Sequence, residues 1–330
     1  MRYFGSKTLL RNQIFEIICE YNGGIFCDPF GGIGTVGAKM KEKGFQVISG
    51  DILDFAYFFQ YSLLEREEKN EFSNLKKEIN AKNICDIELY LSNIYSNGGW
   101  FWEEYSKKRK FFTERNAKKI QACINCIDEW YRYDVISENE RKVLIASLIN
   151  SFDKIANTAG TYYAYLKEFD RRSLKEFSFS FLPVVEGKKS YVFKMDAEQL
   201  VKNTKCDVLY LDPPYNERNY SQYYHLPETI AEGQVPVPRG KSGIYRSSSF
   251  VSDYNKKDKA TSAFEKLIRQ ANAKCILFHY TDNGLIDMDA AKEMLKEVGT
   301  IEKECYFNCK GYNTSSKHKE SMHHIIKVCL

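Results

Sequence analysis

The sequence predicts an α/β protein built on a mostly parallel sheet and interrupted by a long helical insertion. Three observations carry this reading. Strand-like runs at residues 25–27, 45–50 and 206–211 each end on a carboxylate, namely Asp28, Asp51 and Asp212. The last run, Cys206-Asp207-Val208-Leu209-Tyr210-Leu211, suits a central parallel strand, because such strands are apolar on both faces. A glycine-rich turn, Gly31-Gly32-Ile33-Gly34-Thr35-Val36-Gly37, follows the first carboxylate and opens a helix through Met40. Between Ile52 and about Tyr191, strand–helix alternation stops and helical patterns take over. The expected organisation is one part made of residues 1–53 and 190–330, with residues 54–189 as the insertion.

Along the chain, Leu9, Leu10, Ile14, Ile17 and Ile18 predict an N-terminal helix, and residues 54–82 read as helical and rich in Lys and Glu. Asn97-Gly98-Gly99 breaks the pattern, and Thr113 starts a helix running to about Arg132. Ser137-Glu138-Asn139-Glu140 is a capping box whose helix carries Leu144, Leu148, Phe152 and Ile155 on one face, read as core. Tyr191 to Met195 is a short strand ending at Asp196. Residues 232–253, rich in Gly, Pro, Ser and Arg, read as a long loop without periodicity. A strand at Cys275–Tyr280, a helix at Met288–Val298, and terminal strands near 301–307 and 324–328 complete the pattern.

At 330 residues the chain can bury a sizeable core. No apolar run is long enough to span a bilayer, and the first residues lack a signal-peptide core, so a cytoplasmic protein is expected. Its ten cysteines are then read as reduced thiols. Cys123-x-x-Cys126 lies in a helical pattern with no second pair nearby, which favours packing over zinc or redox chemistry. Cys305 and Cys309 with His318, His323 and His324 resemble ligands only by type, and no metal is expected. The net charge is only +4, but it clusters at Lys107-Lys108-Arg109-Lys110, Arg171-Arg172, Arg239-x-Lys241 with Arg246, and Lys317-x-Lys319. Trp100, Phe101, Trp102, Tyr105, Phe111, Phe112 and Tyr245 interleave these patches, a combination suited to nucleic acid. A single patch of this kind is more often a solvated face.

The chemistry centres on Asp212-Pro213-Pro214-Tyr215. Neither proline can extend a ladder, so Asp212 closes its strand at the carboxyl end, where open α/β sheets bind ligands. The Asp212 carboxylate and the Pro213 carbonyl are two acceptors, matched to the two donors of an NH2 group, and Tyr215 offers a ring for stacking. The plainer reading is a strand ending in a Pro-rich turn. Asp51, at the tip of the second strand, is placed to take ribose hydroxyls. Gly32-x-Gly34-x-x-Gly37 followed by Asp51 also fits a dinucleotide fingerprint, which keeps an NAD-dependent oxidoreductase as a competitor. Against it, Asp28-Pro29-Phe30 stands where a pyrophosphate should meet only backbone.

Taken together, Tyr3-Phe4-Gly5-Ser6-Lys7, Asp28-Pro29-Phe30-Gly31-Gly32-x-Gly34-Thr35, the Asp51 strand, the insertion and Asp212-Pro213-Pro214-Tyr215 resemble, in that order, the alpha group of Dam-like N6-adenine DNA methyltransferases. The resemblance covers most of the chain. Tyr220-Ser221-Gln222-Tyr223-Tyr224-His225 and Arg115-Asn116-Ala117-Lys118-Lys119-Ile120 look like the subgroup partnering restriction endonucleases of the NlaIII and FokI type. The resemblance implies a Rossmann-like, mostly parallel seven-stranded sheet with an antiparallel last strand, S-adenosylmethionine as donor, and double-stranded DNA as partner. It further implies a cognate endonuclease as functional partner and a target-recognition role for the insertion. The implied donor-binding set is Tyr3, Phe4, Gly5, Lys7, Asp28, Pro29, Phe30, Gly31, Gly34, Asp51, Ile52, Asp196, Ala197 and Asp212, and Asp212, Pro213, Pro214 and Tyr215 would hold a flipped adenine. The DNA-facing set is Lys107, Lys108, Arg109, Lys110, Arg171, Arg172, Arg218, Tyr220, Arg239, Lys241, Tyr245 and Arg246. N4-cytosine methylation, an RNA or protein acceptor, and a non-catalytic nucleic-acid-binding module stay open beside it.

Overall fold

The computed structural model describes residues 1–67, 71–235, 237–244, 252–310 and 320–330. Tyr245, Arg246, Lys317, His318 and Lys319 therefore lie outside the described residues, as does the side chain of Cys309. The chain divides into two compact units. One comprises Met1–Phe4, Tyr61–Val184 and Tyr220–Ser249; the other comprises Gly5–Gln60, Val185–Asn219 and Phe250–Leu330.

The second unit holds the sheet. Its strands are β1 (Ile25–Asp28), β2 (Gln46–Asp51), β3 (Tyr191–Lys194), β4 (Lys205–Leu211), β5 (Asn272–Thr281), β6 (Thr300–Lys310) and β7 (Glu320–Cys329), in the order β3-β2-β1-β4-β5-β7-β6. The pairs among β1 to β5 are parallel, while β7 runs antiparallel to both β5 and β6. The mostly parallel, seven-stranded arrangement and the antiparallel last strand are those that the resemblance implies for a Rossmann-like sheet. The order reverses beside β1 and β4, so Asp28 and Asp212 end adjacent strands on either side of the switch point, where such sheets bind ligands. The apolar residues of β4, and those of β5 from Cys275 onward, are buried, as expected of central strands. Leu209, Leu211, Ile276 and Phe278 form one core cluster with Phe264 and Leu267 of the helix Ala260–Arg269.

A polar chain crosses this sheet. The Tyr210 hydroxyl lies 2.7 Å from His279 Nδ1, and His279 Nε2 lies 2.9 Å from His323 Nδ1. Burial holds the His279 imidazole well below its ordinary pKa, so it stays neutral and can bond on both nitrogens. His324 pairs with Asp282. His323 and His324 thus each have a protein partner on one ring nitrogen.

The first unit is mainly helical. Thr113 caps the helix Glu114–Arg132 by accepting from the Asn116 N–H, and Ser137 with Glu140 forms the predicted capping box of the helix Glu138–Asp153. Leu144, Leu148 and Phe152 are buried, and so is Ile155 just beyond the helix end. The borders of this unit differ from residues 54–189. The helix Asp54–Gln60 belongs to the sheet unit, whereas Tyr220–Ser249 joins the helical one. In the helical unit the Arg141 guanidinium donates to the Ala231 carbonyl, and Tyr3 stacks on Tyr224 at 4.9 Å. Such packing is set by side chains remote in sequence and leaves no local pattern.

Candidate active site

Asp212 sits one residue past β4, and the structure gives its two oxygens different surroundings. Oδ2 accepts from Lys7 Nζ at 2.5 Å. Oδ1 is buried and has no hydrogen-bond partner among the described residues. Lys7 is itself buried, donates also to the Gly5 carbonyl at 2.9 Å, and lies 5.6 Å from the Tyr215 ring centroid. Burial alone would lower the Lys7 pKa, but the Asp212 charge more than offsets it and holds the ammonium. Burial pushes the Asp212 carboxyl up, and Lys7 opposes that. The pair thus occupies one Asp212 oxygen and leaves the other without a partner among the described residues.

The rest of the turn is braced. The Tyr280 hydroxyl donates to the Pro214 carbonyl at 3.4 Å and accepts from the Leu285 and Ile286 N–H groups, and its ring meets Tyr215 edge-on at 6.3 Å. Gly284 has to be glycine here, since a Cβ would lie 2.0 Å from the Tyr280 ring. Asn255 Nδ2 donates to the Asn216 and Arg218 carbonyls at 2.8 and 3.2 Å. Tyr254 packs edge-on against Phe30 at 5.0 Å. Tyr280, Tyr254 and Asn255 carry no motif, and nothing in the sequence marks them as supports of the site.

At the neighbouring strand end, Asp28 is buried and accepts from the Phe30 N–H at 3.2 Å. Burial and the nearby Asp212 charge push its carboxyl up to about 8, against the Phe30 N–H and Lys7. Asp51 accepts from the Gly32 N–H at 3.1 Å and the Leu53 N–H at 3.0 Å, one on each oxygen. Burial pushes it up to about 6, so it is ionised at neutral pH. Each Asp51 oxygen keeps a lone pair for a hydroxyl, which fits a ribose. The turn between them closes through Gly34 N–H to the Gly31 carbonyl at 2.8 Å, and Gln60 Nε2 donates to the Gly32 carbonyl at 2.8 Å. Gly34 has φ 77°, a left-handed conformation suited to glycine. A Cβ on Gly31 would lie 2.3 Å from Ser49 Oγ, so the protein's own packing already requires that glycine.

Asp28 has a consequence in solution. Its carboxyl keeps a proton when folded up to about pH 8. In the unfolded chain it releases that proton near pH ~3.9. Stability from this group is therefore complete below the unfolded value and is lost as pH rises through the folded one. Asp28→Asn keeps the acceptor for Phe30. It is expected to match the wild type at acid pH and to melt higher at alkaline pH. Identical melting curves over that range would show that the carboxyl ionises freely.

The other expected residues are less uniformly grouped. Gly5, Lys7, Asp28, Pro29, Phe30, Gly31, Gly34, Asp51, Ile52, Asp196, Ala197, and residues 212–215 all belong to the sheet unit, as does Arg218. Asp196 caps the helix Ala197–Lys202 through the Glu198 N–H at 2.8 Å, and Ala197 is buried. Tyr3 and Phe4 belong to the helical unit, where they pack on Tyr220, Tyr223 and Tyr224. Lys107 pairs with Glu103 and lies over the Trp102 ring at 3.8 Å, and Lys108 pairs with Glu104 at 2.5 Å. Lys110 and Arg171 are exposed, while Arg172 donates to the Ala156 and Thr158 carbonyls. Arg239 and Lys241 are exposed on the turn closed by the Arg239–Ile244 bridge.

Strand order, the glycine turn at the switch point and the half-satisfied Asp212 together define a Rossmann-like sheet with its acidic strand ends side by side. A family model described as D12 class N6 adenine-specific DNA methyltransferase matches residues 3–290, and the chain belongs to that family. It is 33% identical over 334 residues to the modification methylase StsI of Streptococcus sanguinis, covering 97% of this chain and 50% of that protein. Over 309 residues it is 33% identical to the type II methyltransferase M.NlaIII of Neisseria lactamica, covering 91% and 89%. Over 333 residues it is 35% identical to the type II methyltransferase M.FokI of Planomicrobium okeanokoites, covering 97% and 50%. The chain thus spans about half the length of the StsI and FokI relatives and most of the NlaIII one. Family membership sets aside the dinucleotide-dependent oxidoreductase. No helix among the described residues is long and apolar enough to cross a membrane.

Proposed function

We propose that this chain is a site-specific DNA methyltransferase acting on the N6 amino group of adenine in duplex DNA, as the modification enzyme of a restriction–modification system. The observation that carries the reading is the buried Asp212 Oδ1, unpartnered among the described residues, at the strand end that Pro213 and Pro214 follow. S-adenosylmethionine, when bound, supplies an electrophilic methyl group; Asp51 and the turn at residues 31–34 are the chain's candidates to hold it. An adenine inside a duplex is out of reach of this site, so the base is flipped out. The amino group then donates its two hydrogen bonds to Asp212 Oδ1 and the Pro213 carbonyl, which aims the nitrogen lone pair. Lys7 opposes the burial that raises the Asp212 carboxyl and so favours its accepting, ionised form. The gain comes from positioning and preorganised charge.

The helical unit is the proposed target-recognition region, with Lys107, Lys108, Lys110, Arg171, Arg239 and Lys241 as candidate phosphate contacts and Arg218 and Tyr220 near the target strand. A cognate endonuclease would be a partner in function, and the cytoplasm is the location that goes with such a substrate. The deciding experiment is incubation with labelled S-adenosylmethionine and mixed-sequence duplex DNA, then digestion to nucleosides. Label in N6-methyladenine supports the reading. Label in N4-methylcytosine would overturn the base, and absence of label with the donor bound would overturn DNA as the acceptor.

Tyr215 is the proposed stacking platform. Tyr215→Ala is expected to weaken target-base engagement by roughly 1–3 kcal/mol, seen as a higher KM for DNA. Tyr215→Phe should retain most of it. An unchanged KM in the alanine variant would remove Tyr215 from this role.

A further inference from the structure

Arg109 belongs to the most basic stretch of the chain, yet its guanidinium is committed within the protein. Nη1 donates to Glu104 Oε2 at 2.5 Å and to the Glu104 carbonyl at 3.2 Å. Nε donates to the Lys241 carbonyl and Nη2 to the Gly240 carbonyl, both at 3.2 Å. Only 11% of its side chain is exposed. Burial would raise the Glu104 carboxyl, but hydrogen bonds from Lys108 and Arg109 hold it below its ordinary value, so the Glu104–Arg109 pair stays charged. The buried Tyr105 adds a third tie, its hydroxyl donating to the Gly243 carbonyl at 3.0 Å.

These ties grip a single turn. Arg239 and Ile244 form an antiparallel bridge, with the Arg239 N–H donating to the Ile244 carbonyl at 3.1 Å. Gly240 and Gly243 have φ 66° and 68°, so both need glycine to close the turn. A Cβ on Gly243 would lie 2.7 Å from Arg109 Nε, so the guanidinium fits against this glycine. Arg239 and Lys241 are exposed on the turn, and among the described residues neither takes part in an ion pair. Three carbonyls are thus held from below while two cations project outward.

We infer that Arg109 and Tyr105 are positioning residues that preform the turn at residues 239–244, so that Arg239 and Lys241 meet DNA phosphates while Arg109 itself touches none. This rests on the DNA-methyltransferase reading above. Holding the turn in its binding conformation removes an ordering cost at the encounter. Its signature is coupling: loss of Arg109 matters only while Arg239 and Lys241 are present.

The test uses the full chain, fluorescently labelled duplex DNA over a salt series, and methyl transfer to the same duplex. Wild-type transfer to DNA is read first, and its absence overturns the proposed function itself. Given transfer, Arg239→Ala/Lys241→Ala is expected to lower the salt slope of binding by about 1.8, near 0.9 per phosphate. Tyr105→Phe, which changes no charge, is expected to raise KM for DNA roughly 2- to 10-fold at unchanged kcat and donor affinity. Arg109→Gln should weaken DNA binding in the wild type but add nothing to the double variant. Equal losses in both backgrounds would mean that Arg109 contacts DNA directly, and an unchanged slope in the double variant would mean the turn does not; either overturns the inference. Tyr105→Phe keeps the test decisive if Arg109→Gln melts early.

Discussion

Asp212→Ala is expected to bind S-adenosylmethionine as the wild type does and to lose methyl transfer by a factor of about 10²–10³ or more, the scale for removing one preorganised group that holds the reacting centre. The reason is geometric. Asp212 Oδ1 is buried, unpartnered among the described residues, and carried by the residue that two consecutive prolines follow. Alanine removes one of the two acceptors that fix an amino group, while the candidate donor-binding contacts at Asp51 and Gly32 stay in place. Donor affinity by calorimetry and single-turnover transfer on duplex DNA separate the two effects. Wild-type turnover would remove Asp212 from the mechanism, and equal loss of donor binding would reassign it to the donor.

Lys7→Met should have the next largest effect, on both stability and pH dependence. The substitution keeps the length of the stem but leaves Asp212 without its 2.5 Å partner. Removing one member of a buried pair costs roughly 3–5 kcal/mol, because the remaining charge is uncompensated. The carboxyl can escape that cost by taking a proton, and its folded pKa then rises further. Stability should therefore be nearest the wild type at acid pH and fall away as pH rises through that value. Transfer should follow the opposite course, with the acid limb of kcat moved to higher pH, since only the ionised carboxylate offers both oxygens as acceptors. Melting curves and a kcat profile over the same pH range test both. Unchanged curves in Lys7→Met would mean that the pair does not form in solution.

Much of the architecture was legible from residues close together in the chain. Apolar runs closed by Asp28, Asp51 and Asp212 read as strands, and β1, β2 and β4 hold them at those ends or one residue beyond. The helix predicted at Met288–Val298 has those bounds, and Thr113 and Ser137 cap the helices they were expected to cap. Such features follow from periodicity and capping, which are local. The reading of residues 232–253 as a long loop without periodicity did not show the bridged turn at 239–244, because its anchors lie more than a hundred residues earlier, at Tyr105 and Arg109. Lys7 was placed near the donor by resemblance, and its partnership with Asp212 spans 205 residues.

The sequence by itself determined most of the strands and helices, the glycines at the switch point and the carboxylate and prolines that close the fourth strand. Tertiary structure alone decided which Asp212 oxygen is occupied and which is open, that Arg109 serves a turn, and that Tyr220–Ser249 packs with the helical unit. The physical reason is range. Backbone preference, capping and hydrophobic period act over a few residues and leave their mark in order along the chain. Burial, ion pairing and hydrogen-bond satisfaction depend on which distant segments meet in space, and only the folded chain specifies that.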